Sequence, residues 1–142
     1  MRTVILILLV VALAGCTGPS ESWGPLAVMT TDIGMQARSE GTLVLTDRCS
    51  FLERDGEQQL LAWPTPQTTW LTASSGVSFT RSTGEVVELH AGQHVVLGGG
   101  GSSMTEDGLS GSQWAARISW VASPDPSCLV DDRWSVSDVL PD

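Results

Sequence analysis

The chain has 142 residues, seven arginines, no lysine and 16 acidic side chains, for a formal net charge of −9 at neutral pH. A surface this acidic repels phosphate backbones, and no run of basic residues gathers them, so nucleic-acid binding is excluded. The lack of lysine removes every mechanism built on a lysine nucleophile.

In chain order, Met1 and Arg2 precede an unbroken apolar run over residues 4–13, which ends in Ala14 and Gly15. This is the layout of a secretory signal, and the run is about half the ~20 apolar residues that a spanning helix needs. Leu13-Ala14-Gly15-Cys16 resembles the lipobox of bacterial lipoproteins. The resemblance implies that residues 1–15 are a signal peptide and that Cys16 becomes a diacylglyceryl-modified N-terminus at the extracytoplasmic face of a membrane. Two acyl chains, at about 0.8 kcal/mol per buried methylene, anchor the protein without help from the polypeptide. Loss of Arg2 leaves six basic against 16 acidic side chains, a balance of −10. Residues 16–25 read as lipidated cysteine and tether, rich in Gly, Pro and Ser. Residues 26–142 are long enough for one domain. The absence of lysine, asparagine and tyrosine, types with A/T-rich codons, points to a GC-rich genome.

Residues 26–40 show no clear period, and from Gly41 onward the apolar period becomes two. Leu43 and Leu45, Val77 and Phe79, Val87 and Leu89, Val95 and Leu97, Ile118 and Trp120, and Trp134 and Val136 each alternate with another residue, the mark of a strand with one buried face. Asp55-Gly56 supplies a two-residue hairpin turn between residues 49–53 and 58–63, Thr83-Gly84 another turn, and Ala91-Gly92-Gln93 a third. Pro64 and Pro66 close the earlier strand. Only residues 113–117 suit a single helical turn. Residues 98–111, with their glycines and serines, are expected to form a flexible surface loop. The pattern predicts an all-β domain, a small antiparallel barrel of five to seven strands, with a small β-sandwich as the alternative.

With Cys16 lipidated, Cys49 and Cys128 form an even pair in an oxidising compartment and are expected to be disulfide-bonded. His90 and His94 flank a turn and, with Glu88 or Glu85, make the sharpest metal-site candidate, although no third ligand falls at a recognised spacing. Six tryptophans are many for this length; exposed indoles stack on sugars, and Trp63 and Trp70, flanking a proline-rich turn, are the ligand-binding candidates. The four glycines at 98–101 lack the lysine and following helix of a phosphate cradle. Asp125, Asp131, Asp132 and Asp138 do not follow a calcium-loop spacing. No nucleophile elbow, carboxylate pair or Ser-x-x-Lys is present, so no catalytic residue is assigned and an enzyme is not expected.

Gly-Thr-Leu-Val-Leu-Thr leading to a cysteine, a hairpin ending in Ala-Trp-Pro, and a later Val-Leu-Gly-Gly-Gly resemble small OB-like β-barrel lipoproteins of GC-rich bacteria. The resemblance covers most of residues 41–139 and implies a fold and a location, with no substrate or cofactor. The expectation is a membrane-anchored, non-enzymatic module that binds a protein partner or envelope ligand through its barrel loops; an envelope glycan binder using exposed tryptophan and a metal-binding lipoprotein using the His90–His94 hairpin are the alternatives.

Overall fold

A computed structural model describes residues 22–30 and 35–142. The signal segment and Cys16 lie outside the described residues. Ten strands are present: β1 (Ala27–Met29), β2 (Ala37–Leu45), β3 (Ser50–Arg54), β4 (Glu57–Pro64), β5 (Thr68–Leu71), β6 (Gly76–Thr80), β7 (Val86–Leu89), β8 (His94–Ser103), β9 (Trp120–Ala122) and β10 (Asp132–Leu140). Two short helices, α1 (Met104–Asp107) and α2 (Gly111–Ala115), follow β8.

Five of these strands close a barrel in the order β2-β3-β4-β10-β8 and back to β2. Four seams are antiparallel, and the fifth, β4 with β10, is parallel. This order is the Greek-key closure of an OB-like barrel. The β3–β4 hairpin turns on Asp55-Gly56, with φ of 51° and 82°, the positive values that a two-residue turn matched to strand twist demands. Ala62 pairs with Ser135 on one edge of β4 and with Ala27 on the other, so β1 takes over the edge that β3 vacates beyond Leu60. β9 then lies against β1.

The barrel interior follows the alternation. Leu43, Leu52, Leu61, Trp63, Val95, Leu97, Trp134, Val136 and Val139 belong to one buried cluster. Between the ring strands β4 and β8 the chain makes a three-stranded antiparallel sheet, β5-β6-β7, which sends Val77, Phe79 and Leu89 into the same cluster. Phe79 sits 6.2 Å from Trp63 between ring centres, so this sheet closes the barrel end at which β4 finishes. The packed chain starts before residue 26: Trp23 packs against the cluster and Pro25 is buried.

Two sequence expectations are corrected. The glycine run is not a flexible loop, because β8 continues through Ser103 and pairs with β10 from Val96 opposite Leu140 to Ser103 opposite Asp132. Its missing side chains are what order it. A Cβ on Gly100 would meet Met35 Cε at 1.7 Å, one on Gly101 the Trp134 ring at 2.8 Å, and one on Gly99 the Ser135 carbonyl at 2.0 Å. Large side chains from other segments lie on the bare backbone, which is where glycine belongs inside a strand. Only residues 104–110 remain as connection, including the single turn of α1. The second correction concerns Ala91-Gly92-Gln93. The turn forms, with Gly92 at φ 82°, but it joins strands of different sheets: β7 pairs with β6, while β8 pairs with β2. The turn itself bonds to β2, through Gly92 N to Leu43 O at 2.8 Å and Leu43 N to Gln93 O at 2.8 Å.

Candidate functional site

Barrels of this topology commonly hold oligonucleotides or oligosaccharides on the outer face of the second and third ring strands and on the two loops flanking it. Here those strands are β3 and β4, and that face is roofed. Phe51, Leu60 and Ala62 point outward from the barrel into a second buried cluster with Met29, Trp114 and Cys128, against which Leu109, Ile118, Trp120 and Val130 pack. The roof is built from residues 104–131. Its helix α2 begins with a capping box in which Gln113 N donates to Ser110 Oγ and Ser110 N donates to Gln113 Oε1. Trp120 meets Trp114 edge-on at 5.6 Å and donates its indole N–H to Ala115 O at 2.8 Å.

Two pins hold the roof down. The Cys49–Cys128 disulfide forms as expected, with Cα atoms 5.5 Å apart and 79 residues of separation, and it ties the roof to the β2–β3 turn. Arg133, 1% exposed, donates through Nε to Ser102 Oγ and through Nη1 to the Leu109 and Asp131 carbonyls. Its Nη2 pairs with Asp107, and its guanidinium lies 5.4 Å from the centre of the Trp114 ring. The Arg133 hydrogen bond, with help from the Leu109 backbone, holds the Asp107 carboxyl below the ordinary carboxylate range. Ser127 does the same for Asp125, which caps the 3-10 turn Pro126–Cys128.

The divergence of β7 and β8 decides how the histidine candidates lie. His90 Nε2 is 3.8 Å from Glu88 Oε2, whereas His94 Nδ1 faces Asp142 Oδ1 at 3.5 Å. Each imidazole has its own carboxylate, and among the described residues no group of three or more His, Cys, Asp or Glu side chains converges. Of the tryptophan candidates, Trp63 is fully buried and donates its N–H to Ser50 Oγ at 3.1 Å, so it offers no face to a ligand. Trp70 is half-buried and borders a groove.

That groove, about 520 Å³, lies where the chain enters the domain. Trp23 and Trp70 border it together with Thr65, Thr68, Thr69 and Thr72. Sequence reasoning placed Trp23 in the tether; the structure folds it back. Leu26 N bonds to Trp23 O at 3.1 Å, closing a turn in which Gly24 has φ 54°. The Trp70 indole rests on that glycine, since a Cβ there would lie 2.4 Å from the ring. Thr65 Oγ1 donates to Met29 O, whereas the Thr68 hydroxyl is buried without a hydrogen-bond partner. Among the described residues no side chain bordering the groove is charged. The groups it presents are indole faces and hydroxyls.

Comparison of the chain with protein-family models, with curated proteins and with solved structures finds no match.

Proposed function

We propose that this chain is a bacterial lipoprotein, anchored through Cys16 at the extracytoplasmic face of a membrane, and that its barrel is a non-enzymatic binding module working through the Trp23–Trp70 groove. The anchor rests on the Leu-Ala-Gly-Cys segment behind a short apolar run. Among the described residues no helix is long and apolar enough to cross a membrane. The observation that carries the module reading is an uncharged groove at the entry of the chain, on a barrel whose usual ligand face is roofed.

The test uses protein extracted in detergent from its native membrane. Its intact mass should show cleavage before Cys16 and a diacylglyceryl increment; an unmodified Cys16 overturns the anchor. The same protein is then melted with fractionated envelope protein, glycan and lipid. At least one fraction should raise the Tm of the wild type and not that of Trp70→Ala; if none does, the module reading fails.

A further inference from the structure

We infer that the Trp23–Trp70 groove binds a neutral saccharide, a deepening that rests on the binding-module reading. Three features of the groove converge on this ligand class. Its two indoles are half-buried, so each keeps part of its ring surface open, and flat apolar surface of this kind packs against the C–H face of a sugar ring. Among the described residues neither indole N–H has a protein acceptor, unlike those of Trp63 and Trp120, leaving two donors for ligand oxygens. The threonines at 65, 68, 69 and 72 supply hydroxyls: that of Thr65 already donates to Met29 O and keeps its acceptor capacity, while those of Thr68, Thr69 and Thr72 can donate once and accept twice, which matches a polyol.

Charge narrows the class. Among the described residues the groove border has no arginine to pair a phosphate or carboxylate, and the chain around it carries a net charge of −9, so an anionic ligand is repelled. A cationic ligand finds no carboxylate at the border among the described residues. What remains is a neutral ligand with many hydroxyls and apolar faces.

The buried Thr68 hydroxyl is the independent sign that something external completes the site. Thr68 is 3% exposed, and its Oγ1 has no partner among the described residues. A buried hydroxyl left in this state is unfavourable, and such a group is ordinarily satisfied by protein, by ordered water or by a bound ligand. Thr68 and Trp70 both sit on β5, held in register by β6, so the polar and aromatic elements are presented from a paired strand.

Position sharpens the source. Six residues lie between Cys16 and Trp23, so the reach from one to the other is at most about 25 Å and a lipidated chain holds the groove close to the membrane. The saccharide is therefore either a glycolipid headgroup or a free glycan strand reaching that level.

The experiment titrates detergent-extracted full protein with triacetylchitotriose, maltotriose and cellotriose, with trigalacturonate as the anionic control, following tryptophan fluorescence and Tm. Phosphatidylcholine vesicles with and without a diglucosyl diacylglycerol form a second arm. We expect a saturable response to at least one neutral probe, with a Tm rise of about 3–6 °C at ten times Kd, and none to trigalacturonate. Trp70→Ala should weaken binding at least tenfold. Thr68→Val should weaken it several-fold while leaving the Tm of the free protein within about 2 °C, which separates ligand contact from folding. Response to soluble saccharide assigns a free glycan, and response to glycolipid vesicles alone assigns a headgroup. No saturable response to any neutral probe in either arm, or equal affinity in both variants, overturns the proposal. A protease-sensitive envelope fraction as the sole stabiliser would keep the module reading and sink the saccharide.

Discussion

The two faces of β4 are buried by different means. Inward, Leu61 and Trp63 enter a cluster that β2, β3, β8 and β10 supply by simple alternation, reinforced by the sheet β5-β6-β7. Outward, Leu60 and Ala62 are covered by residues 104–131, whose helices span four and five residues and have too few turns to be stable alone. The interior is therefore held by packing around a closed ring, and the roof by a cross-link, a buried arginine and a smaller apolar cluster. One face tolerates no loss of volume, and the other depends on its pins. The sharpest way to expose the first dependence is Trp63→Ala, which empties the centre of the interior and removes the partner of Ser50. We expect a loss of about 3–5 kcal/mol in denaturant unfolding, with barrel and roof melting together. A loss below about 1 kcal/mol would show that the interior is not the fold's main support.

The next largest effect belongs to the roof. On the chain-entropy account a bridge with a separation of 79 residues constrains the unfolded chain by about 4–5 kcal/mol, and removal of native bridges typically costs about 2–5. The double variant Cys49→Ala, Cys128→Ala should lower global stability by that smaller range. It should also distribute the loss unevenly, which hydrogen exchange reads directly: protection falls further across residues 104–130 than at the amides of residues 60–63 and 95–97, which lose only the global share. Uniform loss over both regions would erase the distinction drawn between the two faces.

The same contrast explains what was legible beforehand. Ring strands announce themselves because one buried face imposes a period of two, and Asp55-Gly56 marks its hairpin because few residue pairs accept two positive φ values. The roof is written differently. Leu60-Leu61-Ala62-Trp63 does not alternate, and a run of that kind is the signature of a strand covered on both faces. The glycine strand was beyond local reading, since its order comes from Trp134 and Met35, which lie far along the chain. The parallel β4–β10 seam is equally non-local. Of the two tryptophans that flank the proline-rich turn, Trp70 borders the groove and Trp63 is buried in the barrel. Trp23 joins Trp70 only because Gly24 reverses the chain on top of the indole. The threonine cluster was visible as composition, yet nothing in composition shows that one hydroxyl lacks a partner.

The smallest effect should come from acid, and it should be local. Asp107 is held below the ordinary carboxylate range chiefly by its hydrogen bond to Arg133. A carboxyl with a depressed folded-state value contributes stability that is present in full above its unfolded value and is lost as pH falls through the folded one. The contribution is thus complete at neutral pH and fades below about pH 4. Arg133 stays charged throughout, so protonation of Asp107 leaves the guanidinium with its Ser102, Leu109 and Asp131 partners and frees α1 alone. We expect exchange of the residue 104–108 amides to accelerate on going from pH 6 to pH 3, after correction for intrinsic rates, with the β8 and β10 amides unchanged. Asp107→Asn should reproduce the acid behaviour at pH 6 and flatten the pH dependence. If the variant instead loosens the whole of residues 104–131, then Asp107 is a third pin of the roof, and the arginine alone does not suffice to hold it.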